Sequence, residues 1–258
     1  MKMQFLKIQI KLFIILFSLF CSAQQLPPIV KYSKDIYGAG IQNWMISQDS
    51  HRFMYFANNE GLLEFNGTTW SLYPSPNETI IRSVNVIDNK IYTGCYMEFG
   101  YWEKNDFGNL IYFSLSKKLK EPLLEEEFWN IVKFDDWVLF QSLHRIYIYN
   151  TVDESFTSVN SKTNLPKVLK VDESVYFQKM NDGLYKIENG NPVLISNHPI
   201  LQNNILVNIF SVNKKILLQT QEKGFYFFED EKLTKWDFPS NDEISSMSVY
   251  SSLRLADG

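Results

Sequence analysis

The chain has 258 residues, 45% of them apolar, with 20 Phe, 14 Tyr and 6 Trp. That is enough apolar material for a packed core and excludes a disordered chain. A net charge of −4 from 25 Lys+Arg against 29 Asp+Glu leaves no basic surplus for nucleic acid, and two cysteines exclude a disulfide framework.

The first element, residues 1–23, reads as a signal peptide. Lys2, Lys7 and Lys11 form a positive region, Leu12 to Phe20 an apolar one, and Cys21-Ser22-Ala23 a cleavage site after Ala23. The apolar run is short for a membrane anchor, which needs roughly 20 residues. Phe20 stands where a lipoprotein cysteine at Cys21 would need a small residue. Cleavage makes the mature chain more acidic and leaves Cys95 as its single thiol. In its strand-like aromatic context Cys95 reads as a buried apolar residue rather than a nucleophile.

From Asn43 onward the chain repeats about every 40 residues. Strand-forming runs open at Asn43, Arg82, Phe128, Pro166 and Leu206. Each reaches a first turn: Asp49-Ser50, Asp88-Asn89, Asp135-Asp136, Asp172-Glu173 and Asn213-Lys214. Such residues favour turns because they tolerate left-handed backbone and bond to it locally. Third strands are expected from Gly61, Gly100, Arg145, Gly183 and Gly224. Turns to a fourth strand are expected at Asn66-Gly67, Asn105 to Gly108, Asp153-Glu154, Asn189-Gly190 and Asp230-Glu231. The stretch Leu115 to Trp129 reads as a longer loop with one short helix.

Four short antiparallel strands per repeat predict an all-β protein, a β-propeller. A β-sandwich also spaces strands closely but does not account for the fixed period. The expected blades are 43–81, 82–127, 128–164, 165–203 and 204–242, with a partial sixth over 243–258. Trp70, Trp102 and Trp236 are expected to close their blades and pack between them. Residues 24–42 hold a candidate ring-closing strand, Leu26 to Tyr37. The sixth unit stops at the Asp257-Gly258 turn, where a second strand should begin, so the reading is a piece truncated from a seven-bladed propeller, against a degenerate open one.

The stretch Gln42-Asn43-Trp44, Ile46-Ser47-Gln48-Asp49 and Phe56-Ala57-Asn58-Asn59-Glu60-Gly61-Leu62-Leu63-Glu64-Phe65-Asn66-Gly67-Thr68-Thr69-Trp70 resembles the two-component regulator propeller repeat. Gly183-Leu184-Tyr185 and Gly224-Phe225-Tyr226 fit it weakly. Arg145 replaces the third-strand glycine in the third blade, and His51-Arg52 stands where the family often has a glycine. The resemblance implies a periplasmic sensor of Bacteroidetes-type regulators, anchored in the inner membrane. It also implies a following three-tyrosine (Y_Y_Y) sandwich, a membrane helix and an output, of LuxR-type helix-turn-helix or histidine-kinase kind. None of those parts lies in these 258 residues, and Phe99-Gly100-Tyr101-Trp102 looks closer to the LuxR-type variety. The arrangement allows a dimer in the full-length protein.

Motifs for catalysis are missing. His51, His144 and His198 are scattered and form no HExxH or HxH pair, so no metal is expected. No P-loop, GxSxG or CxxC occurs, and no cofactor is expected. Glu125-Glu126-Glu127 reads as a solvated charge run.

Propeller geometry still locates a binding face. Entry loops offer Trp44, Arg82, Trp129 and Asn204, and second-to-third-strand turns offer Asn58, Asn59, Glu98, His144, Asn181 and Asp182. This set is polar and varies between blades, which suits ligand binding. Trp44 and Trp129 would supply an aromatic platform for a glycan, against core packing as the plainer role. The reading is a non-catalytic extracytoplasmic sensor. One alternative is a polysaccharide lyase or glycosidase using Glu60, Glu98 or Asp182. Another is a secreted interaction scaffold.

Overall fold

A computed structural model describes residues 28–165 and 167–255. The proposed signal peptide with Cys21, and the Asp257-Gly258 turn, lie outside the described residues. Residues 34–258 form one unit; residues 28–33, outside it, carry no strand or helix. Among the described residues, no helix is long and apolar enough to cross a membrane.

Among the described residues, twenty strands form five four-stranded antiparallel sheets in simple chain order. Blade 1 holds β1 (Asn43–Gln48), β2 (Met54–Asn58), β3 (Gly61–Phe65) and β4 (Trp70–Tyr73). Blade 2 holds β5 (Ile81–Ile87), β6 (Lys90–Cys95), β7 (Glu98–Lys104) and β8 (Leu110–Ser114). Blade 3 holds β9 (Asn130–Phe134), β10 (Trp137–Gln141), β11 (Arg145–Asn150) and β12 (Phe156–Asn160). Blade 4 holds β13 (Val168–Val171), β14 (Ser174–Lys179), β15 (Gly183–Glu188) and β16 (Asn191–Ser196). Blade 5 holds β17 (Leu206–Val212), β18 (Lys215–Thr220), β19 (Gly224–Glu229) and β20 (Lys232–Lys235). The first strands β1, β5, β9, β13 and β17 pack consecutively, so the sheets are propeller blades in an arc.

The first turns fold as their residues dictate. Asp88, Asp135, Asp172 and Asn213 all take positive φ, between 49° and 56°. The pairs Ile87↔Lys90, Phe134↔Trp137, Val171↔Ser174 and Val212↔Lys215 close on two-residue loops. That is the geometry expected of hairpins matching the strand twist.

Packing between blades follows the period of two. In blade 3, Val138, Phe140, Tyr147 and Tyr149 join Tyr92, Phe99 and Phe128 against blade 2. The alternate residues Leu139, Ile146 and Ile148 join Val168, Val175 and Phe177 against blade 4. Burying each large apolar side chain contributes about 1.5–3 kcal/mol. Polar side chains tie successive blades at equivalent positions. Ser83 Oγ donates to Phe128 O (2.8 Å), and Asn130 Nδ2 donates to Val168 O (2.8 Å). Gln141 Oε1 accepts from Val168 N (2.9 Å), and Gln178 Oε1 accepts from Leu206 N (2.8 Å).

Four expectations need correction. The third strand of blade 2 starts at Glu98, not Gly100, because Cys95 and Glu98 close a tight hairpin through Met97 at φ 56°. Gly100 is instead a point of close approach: a Cβ there would fall 2.2 Å from Phe113 O. Over Leu26 to Tyr37 the described residues hold no strand. Lys34–Tyr37 is one helical turn, closed by Gly38 N donating to Lys34 O (2.7 Å). Glu243 lies in a helical turn, Asn241–Ser245, rather than opening a strand. Asp242 and Glu243 suit its first turn, and the buried Asn241 ties it to Phe225 N and Trp236 O. Trp102 packs between blades, in the blade 1–blade 2 core, and it does so from the third strand. Trp70 stacks on Phe65 of its own blade, and Trp236 folds over Phe225 and Phe227.

The loop Leu115 to Trp129 holds one short 3-10 helix, Ser116–Lys118, as expected. The helix Pro199–Asn203, capped by His198 Nδ1, had no signal in the apolar pattern.

Candidate aromatic and arginine site

Three successive blades present a side chain from the same place. Trp44 falls in a register break between Asn43 and Met45, and Arg82 in one between Ile81 and Ser83. Trp129 precedes β9, its N–H donating to Gln141 O (2.9 Å). A bulge turns a side chain off the regular alternation. Here the three converge. The Arg82 guanidinium carbon lies 4.2 Å from the Trp44 ring centroid and 4.8 Å from that of Trp129. The two indoles meet edge to face at 5.9 Å. Each cation–π contact contributes about 0.5–2 kcal/mol, depending on desolvation.

The surrounding polar groups hold this arrangement. Trp44 Nε1 donates to Asn59 Oδ1 (2.8 Å). Arg82 Nη2 donates to Glu127 Oε1 (3.4 Å). Asn58 is fully buried and spends both ends of its amide: Oδ1 accepts from Gly40 N and Glu60 N, while Nδ2 donates to Gly40 O and Asn43 Oδ1. It therefore fixes the entry loop and the neighbouring Asn59 without offering itself to a ligand. Gly94 lets blade 3 approach, since a Cβ there would fall 2.5 Å from Phe128 Cβ.

One aromatic face is open at the cluster, and two donors beneath it are unpaired. Trp44 is 42% exposed and presents an aromatic face. The buried donors Arg82 Nε and Trp129 Nε1 have no hydrogen-bond partner. The arrangement suits a ring that stacks on indole and carries acceptors.

Of the ten residues singled out from sequence, the structure joins Trp44, Asn59, Arg82 and Trp129 directly, with Asn58 supporting them. Glu98 is not on an exposed turn. It is buried at the start of β7, where its Oε1 accepts from Tyr112 Oη (3.0 Å), Ser114 Oγ (2.9 Å) and Ser116 Oγ (2.6 Å). Asp182 Oδ2 accepts from Tyr185 Oη (2.7 Å), and Asn204 Nδ2 donates to Ile200 O. His144 and Asn181 are exposed on their turns. Among the described residues, none of these five bonds to or stacks on the cluster.

The Glu125-Glu126-Glu127 run is not uniformly solvated. Glu125 is exposed, whereas Glu126 is buried and accepts from Ser142 Oγ (3.0 Å) and Tyr147 Oη (2.6 Å). Arg145, standing in place of the expected glycine, donates from Nη1 to Tyr147 Oη (2.7 Å). Burial pushes the Tyr147 hydroxyl up to about 12, helped by its bond to Glu126 and opposed by Arg145. Glu127 belongs to the cluster and was missed. Its partner Arg82 is 45 residues away, and no local pattern marks such a pair.

No family model and no curated protein matches this chain. Solved structures do. The extracellular domain of BT4673 from B. thetaiotaomicron, described as a one-component system, superposes with a TM-score of 0.59 at 16% identity over 84% of this chain. The extracellular domain of BT3049 from the same organism, described as a hybrid two-component system, gives 0.57 at 17% over 80%. The WD40 β-propeller domain of Doa1 gives 0.52 at 11%, covering 80% of this chain and 70% of that one. The propeller architecture is thus shared. This chain spans about 30% of the length of the two Bacteroides chains.

Proposed function

We propose that this chain is the extracytoplasmic ligand-sensing propeller of a membrane-spanning regulator. Its periplasmic placement follows from the signal-peptide pattern over residues 1–23. The output, a LuxR-type or kinase module behind a Y_Y_Y sandwich, follows from the repeat resemblance of blade 1. The likeness to extracellular domains of Bacteroides regulatory systems supports the same reading.

The observation that carries it is the Trp44–Arg82–Trp129 cluster. Three blades converge there on one exposed indole backed by a cation. The ligand is a glycan, its sugar ring stacking on Trp44 and its oxygens meeting the Arg82 side of the cluster. No covalent step is involved. Signalling is a population shift, in which ligand binds one arrangement of the blades better than another.

The test is a titration of neutral and uronic-acid oligosaccharides, read by tryptophan fluorescence and calorimetry. Trp44→Ala and Arg82→Ala should each weaken binding about tenfold or more, a loss of about 1.4 kcal/mol. Binding that survives both substitutions unchanged, or no binding at all, overturns the assignment. Polymer cleavage by the purified chain would instead make it an enzyme.

A further inference from the structure

The blade-to-blade latch repeats once more than the blades do. In blades 3 and 4 the penultimate residue before the second turn is Gln141 and Gln178. Each uses Oε1 to accept the N–H of the residue that starts the next blade, Val168 or Leu206. Blade 5 has Gln219 at the same register position, one residue before the closing pair Thr220↔Gly224, as Gln178 stands one before Lys179↔Gly183. Gln219 is only 4% exposed, yet its Oε1 is buried without a partner. A buried acceptor left unpaired is destabilising, because it has given up water without gaining a partner.

The second half of the latch is already engaged. Ser83 and Asn130 donate to the carbonyl of the first residue of the following blade. Asn208, at their position in blade 5, donates to Ser252 O (2.9 Å). Arg254 Nη1 adds a bond to Ser211 O (2.6 Å). Ser252 therefore stands where Val168 stands, at the head of an innermost strand. On the same blade Phe225 and Phe227 are half-buried, and a cavity of about 390 Å³ is lined by Val212, Asn213, Lys215, Phe227, Glu229 and Thr234.

We infer that the outward face of blade 5 is a socket for a sixth four-stranded sheet of the same polypeptide, whose innermost strand starts at Ser252 and whose first N–H is received by Gln219 Oε1. The argument for that occupant is continuity, because Gln219 repeats the position of Gln141 and Gln178, and Asn208 repeats that of Asn130. Its boundary differs from the sequence expectation, since the inner strand starts at Ser252 and the preceding residues fold as a helical turn and strap.

The test uses the 258-residue protein and a form extended after Gly258 by a copy of β10–β12, residues 137–160. In the 258-residue protein Gln178→Leu should lower the urea midpoint and Gln219→Leu should not. In the extended form the Ser252 amide should exchange about tenfold more slowly, as one added hydrogen bond requires. Gln219→Leu should then become as costly as Gln178→Leu. Equal costs in the short form, or unchanged Ser252 exchange in a folded extended form, overturn the inference. A dimer of the short form that Gln219→Leu dissolves would give the face to a second copy and overturn it too. Should the graft not fold, Asn208→Leu decides within the short form. It should speed exchange over 249–254, and unchanged exchange there means that the strap is not held in register.

Discussion

Blades 3 and 5 have the same four strands and similar aromatic content, but they live in different surroundings. In blade 3 the central residues of β11, Ile146 to Tyr149, are all buried. In blade 5 the corresponding Phe225 to Phe228 are all half-buried. The difference is that blade 3 has a neighbour on each face, whereas among the described residues blade 5 has one sheet beside it and on the other side Trp236, Phe238 and the strap. Burial in a repeat protein is thus set by the neighbour as much as by the residue.

The largest test of this comparison is in the cores. Phe140→Ala empties a fully buried site between blades 2 and 3 and should cost about 3–5 kcal/mol. Phe227→Ala removes a half-covered ring and should cost under about 1.5 kcal/mol. Urea unfolding of both variants measures the gap. Equal costs would mean that blade 5 is as fully packed as blade 3.

A smaller effect is expected where two blades touch most closely. Gly94→Ala puts a methyl 2.5 Å from Phe128 Cβ and 2.7 Å from Ser83 Oγ, and should cost about 1–3 kcal/mol through displaced backbone. The same change at Gly108, which has open space, should cost less, and its φ of 81° supplies the cost that remains.

The blades were legible in the sequence because their signals are local. Asp88, Asp135, Asp172 and Asn213 mark turns by their own conformational tolerance, and alternation marks strand faces. The convergence of Trp44, Arg82 and Trp129 was half legible. The repeat put them at equivalent entry positions, but their contacts depend on register breaks that no residue announces. Glu98 and Glu126 were misread because their environment comes from hydroxyls 14 to 21 residues away. The glutamine latch was invisible for the same reason, since Gln141 reaches a residue 27 positions on.

Alkaline pH should bear harder on blade 3 through Tyr147. Its hydroxyl is held neutral to about pH 12, against an ordinary value near 10. A raised folded-state pKa means that the folded protein keeps a proton the unfolded chain loses. The stabilisation is fully present below pH 10 and is lost as pH rises toward 12. Tyr147→Phe should flatten that part of the stability curve while lowering stability at pH 7, because Glu126 then loses a donor. An unchanged alkaline slope would show that Tyr147 does not carry the effect.

The smallest effect is a rate. Cys95 is buried between blades 1 and 2, where burial foremost pushes its thiol up to about 12. At pH 8 the thiolate fraction is then on the order of 10⁻⁴, so a disulfide reagent reacts only through opening. Because each blade contacts only its neighbours, loosening blade 5 should not open the Cys95 site. Phe227→Ala should therefore leave the labelling rate at that of the parent, whereas Gly94→Ala, on the same strand as Cys95, should raise it. Should Phe227→Ala accelerate labelling by the factor its lost stability predicts, the five blades open as one cooperative body. The contrast between blades 3 and 5 would then be one of packing alone, not of local stability.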